Sequence, residues 1–90
     1  MTERVLLIDD DDALAGMVSD YLGARGLVVG RASDGPRGLQ RLRSESWDAV
    51  VLDVMMPGPD GFEVLRDLRA WSSVPVVMLT ARGDDMDRIV

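Results

Sequence analysis

The densest concentration of possible chemistry in this ninety-residue chain is a run of four aspartates, Asp9 to Asp12, set directly behind the apolar stretch "VLLI". Another aspartate, Asp53, ends a second apolar stretch in "VVLDVMMPGPDG", and Thr80 ends a third in "VVMLTAR". Any reaction must rest on such carboxylates and hydroxyls, because the chain holds no cysteine and no histidine. That composition excludes disulfides, thiolate chemistry, Ser/His and Cys/His nucleophile pairs and imidazole metal sites. If Asp9, Asp10 and Asp53 meet, each pair at roughly 4 Å repels by about 4 kcal/mol at an effective dielectric near 20. Three such groups do not stay ionised together without a counter-ion. A hard divalent cation resolves the conflict, since magnesium takes oxygen ligands, keeps several waters and is commonly held by one or two carboxylates. The cluster reads as a magnesium seat. Asp11 and Asp12 have a plainer reading, one as the cap of the following helix and the other as a solvated acid.

These side chains can meet only if the segments in front of them lie side by side. Four short apolar segments recur, at Val5 to Ile8, Leu27 to Gly30, Ala49 to Leu52 and Val74 to Leu79. Each is apolar on consecutive positions, as expected for parallel strands covered on both faces. Between them the period becomes helical. Leu14, Met17, Val18, Tyr21 and Leu22 form one stripe that ends at "GARG", where glycine closes the helix. Pro36 opens a second helix behind "SDG", with Asp34 or Gly35 as cap and Leu39 and Leu42 facing inward. A third runs from about Phe62 to Trp71, with Val64, Leu65, Leu68 and Trp71 on its buried side. Alternating strands and helices with short connections predict an α/β doubly wound parallel sheet. Ligand sites in such sheets lie beyond the carboxyl ends of the strands, which is where Asp9, Asp10, Asp53 and Thr80 stand. The last residues, "GDDMDRIV", put Asp84, Asp85 and Asp87 in a first helical turn and start a new apolar stripe at Met86, Ile89 and Val90.

The bulk composition agrees with one small domain: 47% of residues are hydrophobic, the formal net charge is −6, and all ten basic residues are arginine. An acidic chain repels phosphate backbones, so direct nucleic-acid binding is not expected. No stretch is long enough for a signal-peptide core or a membrane span, and the chain reads as a soluble cytoplasmic protein. There is no glycine-rich nucleotide loop. Met55, Met56 and Met78 read as packing or loop residues, Trp47 and Trp71 as closing the core rim, and Gly58 and Gly61 as turn formers around Asp60. Arg41, Arg43, Arg66 and Arg69 read as solvated helix faces.

In the order of its motifs the chain resembles the receiver domain of bacterial two-component response regulators, which has a CheY-like doubly wound fold. The likeness rests on Asp9 and Asp10 after the first strand, Asp53 at the end of the third, Pro57 and Gly61 after it, and Thr80 with Ala81 in "LTAR". It implies that Asp53 is the phosphoacceptor, that Asp10, Asp53 and the backbone carbonyl of Met55 hold Mg2+, and that Asp9 holds metal-bound water. Thr80 would turn its hydroxyl toward the phosphoryl group, which the small Ala81 leaves accessible. The donor phosphohistidine would lie on a sensor histidine kinase, and the chain would be an acceptor and not a turnover enzyme. The wording "LTARGDDMDRI" is similar to receivers of winged-helix transcription regulators, so control of transcription is the implied output.

The departures are as informative. The family carries a lysine and an aromatic switch residue on a fifth strand, and this chain has no lysine at all. Residues 1–90 therefore read as a partial receiver, lacking most of helix 4, strand 5 and helix 5, with strand order 2-1-3-4. Such a form is expected to phosphorylate poorly. Its strand from Val74 to Leu79 becomes an open edge, for which self-association or strand exchange is expected. Two other functions stand beside this one. One is an inert interaction module that takes no phosphoryl group. The other is a magnesium-dependent phosphatase using an aspartyl phosphate, which would need a second acid two residues after its nucleophile, where Met55 stands.

Overall fold

Three strand-helix units follow one another and a fourth strand closes the parallel part of the sheet. The computed structural model describes residues 2–79 with their side chains, and the backbone of 87–89. Its elements are β1 (Arg4–Ile8), α1 (Asp12–Ala24), β2 (Val28–Ala32), α2 (Gly35–Ser44), β3 (Ala49–Asp53), α3 (Gly61–Arg69), β4 (Val76–Leu79) and β5 (Asp87–Ile89). The order across the sheet is β2-β1-β3-β4-β5, and the first four strands are mutually parallel. This is the expected α/β arrangement, with strands within a few residues of the apolar segments.

Burial on consecutive positions explains why these segments form inner strands. Leu6, Leu7 and Ile8 of β1 are fully buried, as are Val50 and Leu52 of β3. Leu6, Ile8, Val50, Leu52, Val76 and Met78 form one cluster with Val64 and Leu68 of α3, and Leu39 and Leu42 of α2 pack against it. The helix starts follow local chemistry. Asp11, Asp34 and Asp60 are the N-caps of α1, α2 and α3, each accepting from the backbone amide three residues on. Asp60 and Glu63 complete a reciprocal capping box. After α1, Gly26 takes φ +89°, a left-handed conformation that glycine adopts without a steric penalty.

Three details depart from the sequence reading. The buried face of α1 is rotated: Ala15 is buried and Leu14, Val18 and Leu22 half-buried, while Met17 and Tyr21 are 68% and 59% exposed. This helix lies along β2, an outer strand, which covers only a narrow stripe of it. Arg41 is not a free solvated arginine, since its guanidinium bonds to Glu45 and to the Arg31 carbonyl and stands 5.0 Å from the centre of the Trp47 ring. Finally, Asp87–Ile89 is not part of a helical turn but an antiparallel strand, with Val77 opposite Ile89 and Leu79 opposite Asp87. The outer edge of β4, expected to be open to another chain, is thus covered over Val77 to Leu79. A few residues gain little as an isolated helical turn, whose nucleation is costly, whereas the same backbone satisfies unpaired groups on the strand edge. Asp84, Asp85, Met86 and Val90, the rest of that expected turn, lie outside the described residues.

Candidate functional site

Register brings the acids together. Ile8 of β1 pairs with Leu52 of β3, so the next residues in line are Asp9 and Asp53, side by side at the carboxyl end of adjacent parallel strands. One carboxylate oxygen from each of Asp9, Asp10 and Asp53 lies within 4.8 Å of the others. Asp9 is fully buried, Asp53 is 7% exposed, and Asp10 faces solvent. The site therefore has two acids in its floor and one at its mouth.

The loops around it are held by short-range hydrogen bonds. The Asp11 amide donates to Asp9 Oδ1 at 2.9 Å, and the Met55 amide donates to Asp53 Oδ1 at 3.0 Å. Each buried carboxylate thus spends one oxygen on the backbone two residues ahead. The other oxygen of Asp9, Oδ2, is buried with no hydrogen-bond partner among the described residues. A buried carboxylate oxygen left in that state is costly, and more so beside two further acids. Arg4, Arg31, Arg37 and Arg41 pair elsewhere, with Glu45, Asp12 and Asp34.

The electrostatic consequence falls on Asp53, whose pKa is pushed up to about 6. Burial is the main cause; the Met55 amide opposes it, and the neighbouring Asp9 and Asp10 push it further up. A divalent cation would relieve all of this at once. The donor set fits a hard ion: all oxygen, three carboxylates, one orphaned buried oxygen and one side open to water.

Behind the site, α3 begins directly beneath the Asp53 loop. The Gly61 amide donates to the Val54 carbonyl at 3.0 Å. A Cβ at Gly61 would stand 2.5 Å from the Asp53 carbonyl oxygen and 2.7 Å from Val54 Cα, so no larger residue fits there. Gly58, at φ +76°, makes the turn that precedes it. Both glycines read from the sequence as turn formers; for Gly61 the reason is close approach and not a left-handed φ. The capping box at its start was legible as "DGFE", an acid followed three residues later by glutamate.

Of the expected site residues, Asp9, Asp10 and Asp53 are brought together. Met55 is present at the rim through its amide, with its side chain 52% exposed. Thr80 and Ala81 lie outside the described residues. One arginine with no role in the sequence reading, Arg31, reaches the loop that carries Asp9 and Asp10.

This parallel 2-1-3-4 sheet with an acidic triad at its carboxyl rim is the arrangement of a receiver-type module. Residues 5–90 match the family model for the response regulator receiver domain, and the chain belongs to that family. It is 47% identical over 87 residues to the transcriptional regulatory protein CpxR homolog of Haemophilus influenzae, covering 97% of this chain and 38% of that protein. The chemotaxis response regulator CheY4 of Vibrio cholerae superposes with a TM-score of 0.87 at 32% identity, over 93% of this chain and 72% of that one. The response regulator TrrA of Thermotoga maritima, solved in complex with Mg2+-BeF, superposes with a TM-score of 0.87 at 29% identity, over 91% and 72%. The chain spans about two fifths of the length of the curated relatives it matches.

Proposed function

We propose that this chain is a phosphoacceptor that takes a phosphoryl group onto Asp53 from the phosphohistidine of a sensor histidine kinase in the cytoplasm, and passes the change to an output that controls transcription. The observation that carries this reading is the meeting of Asp9, Asp10 and Asp53 within 4.8 Å, with a buried Asp9 oxygen left unpartnered. The free carboxylate oxygen of Asp53 attacks the phosphorus in line; the new P–O bond gives an acyl phosphate as the P–N bond to the donor imidazole breaks. The Met55 amide keeps Oδ1 of Asp53 in place, which leaves Oδ2 as the attacking atom. When bound, Mg2+ supplies charge neutralisation for the phosphoryl oxygens. Asp10, Asp53 and the Met55 carbonyl are the groups assigned to hold it, and Asp9 the group assigned to its water. Thr80 is assigned the hydroxyl that turns toward the phosphoryl group, and Ala81 the small residue that leaves room.

The alternative reading is an interaction module that is never phosphorylated. The phosphatase reading has no support, because the position two residues after Asp53 holds Met55 and no acid. Among the described residues no helix is long and apolar enough to cross a membrane. Beryllofluoride with magnesium, followed by the fluorescence of Trp47 and Trp71, separates the two supported readings. A saturable change that vanishes in Asp53→Asn supports the phosphoacceptor; no change, or one retained in that variant, supports the inert module.

A further inference from the structure

The acidic loop after β1 is held from one side by an arginine that the reaction does not require. Parallel pairing of β1 with β2 ends at Ile8 opposite Ala32, and the Asp9 amide still donates to the Ala32 carbonyl at 3.1 Å. Beyond that point β2 turns away toward the Asp34 cap, so the Asp9 carbonyl has no strand partner. Arg31 fills the gap: its Nε and Nη2 both donate to the Asp9 carbonyl, at 3.1 and 2.7 Å, and its Nη1 donates to Asp12 Oδ1 at 2.6 Å. One guanidinium thus spans the loop on both sides of Asp10. Its own backbone is fixed in turn, since the Arg31 carbonyl accepts from Arg41 Nη1 at 3.1 Å. Its side chain is 29% exposed, whereas the Asp12 side chain it grips is 90% exposed.

We infer that Arg31 is a positioning residue that sets the divalent-cation affinity of the pocket by clamping the Asp9 carbonyl and the Asp12 carboxylate on either side of Asp10. This rests on the reading of Asp9, Asp10 and Asp53 as a cation seat. The reason is geometric. Asp10 is exposed, and among the described residues no hydrogen bond fixes its carboxylate, so its direction depends on the backbone between residues 9 and 12. A planar fork with five donors places two N–H groups on one carbonyl and a third on a carboxylate in fixed directions, a geometry that a flexible, compact ammonium does not reproduce. Changing a group that orients metal ligands in this indirect way commonly costs about 10- to 100-fold in metal affinity.

Magnesium binding to the ninety-residue chain, measured by calorimetry with MgCl2 alone, tests the inference beside urea unfolding of the same samples without metal. Arg31→Gln is expected to weaken Mg2+ about tenfold, and to speed hydrogen exchange at the Asp11 amide that bonds Asp9. Arg31→Lys should restore only part of the affinity, and Asp12→Asn should weaken binding in the same direction by less. These two variants decide the matter if Arg31→Gln does not fold. Equal or tighter binding by the foldable variants overturns the inference, as does a loss of affinity that merely tracks a loss of stability. A wild-type chain that binds no Mg2+ is a different result, which overturns the seat itself and this role with it.

Discussion

Two charged regions of this molecule treat the same residue types in opposite ways. At the carboxyl rim, Asp9, Asp10 and Asp53 crowd together with no arginine among the described ion pairs to balance them. On the flank by β2, Glu45 accepts from Arg4 and from Arg41, and the two guanidiniums lie 4.4 and 5.0 Å from the centre of the Trp47 ring. The rim raises the Asp53 pKa, chiefly by burial; the flank lowers that of Glu45, chiefly through its hydrogen bond from Arg41. Charge on the flank serves the fold, and charge on the rim opposes it. A region that destabilises its own native state in this way is better explained by a ligand than by packing.

The largest test of that contrast neutralises one acid in each region. A pKa raised from 3.8 to about 6 means that ionised Asp53 destabilises the native state. Asp53→Asn, which keeps an acceptor for the Met55 amide, is expected to raise the urea midpoint of the metal-free chain at neutral pH while abolishing the beryllofluoride response. Glu45→Gln should move the midpoint the other way. If both variants stabilise, or neither moves, the division of the two regions fails.

Gly61→Ala is expected to be destabilising by about 2 kcal/mol, because the added methyl meets backbone atoms of Asp53 and Val54 that have no rotamer to retreat into. It should also weaken magnesium, since the strain is relieved only by moving the Asp53 loop. Gly58→Ala also strains its turn, since φ is positive there, but the space around it is open and the effect on metal should be smaller.

The pH dependence has a sign that follows from the same two groups. Between 3.8 and about 6 the folded chain holds a proton on Asp53 that the unfolded chain has lost, so metal-free stability falls as pH rises through that window. Glu45 acts oppositely: its folded pKa lies below 4.5, and the stability it contributes is lost as pH falls through that lowered value. Thermal melts without metal should therefore be highest at about pH 4 to 4.5, where Glu45 is ionised and folded Asp53 still holds its proton, and saturating Mg2+ should shift the optimum upward, because binding requires ionised carboxylates. An optimum that stays at pH 7 in EDTA would contradict the burial of Asp53 as the dominant cause.

Much of this was legible in the sequence because the signals are local. Runs of consecutive apolar residues named the inner strands, and an acid just ahead of a helix-compatible stretch offered the caps of α1 and α2, each as one of two candidates. Asp60 was not read as a cap, although the glutamate three residues on signals it. Convergence of Asp9 with Asp53 followed from the fold class, since parallel strands put their carboxyl ends on one edge. What local patterns could not show was anything decided by the neighbours of an element. Met17 and Tyr21 sit in a helical period that reads as buried, yet β2 is an outer strand and leaves them bare. The acidic start of "DDMDRIV" favours a helix, yet Asp87–Ile89 pairs with the edge of β4. Arg31 interrupts an apolar strand with no motif around it, and its partner is a backbone carbonyl, which carries no sequence signature at all.

The smallest effect is the one that isolates the flank. Replacing Arg4 by glutamine removes one of two guanidiniums from the Trp47 ring and one hydrogen bond to Glu45, while Arg41 keeps both remaining contacts. Arg4 also holds the Ser46 carbonyl at 2.8 Å, so its loss frees the turn before β3. A half-exposed cation-π contact and a surface ion pair each contribute little to stability. The expected result is therefore a small drop in the urea midpoint, a red shift in Trp47 emission, and no change in magnesium affinity. The last part carries the weight. Arg4 and Arg31 sit on neighbouring strands and both make a carbonyl bond and an ion pair, so they are near-equals in chemistry. If Arg4→Gln weakened magnesium as Arg31→Gln is expected to, the flank and the rim would be one electrostatic unit, and the distinction drawn between them would not hold.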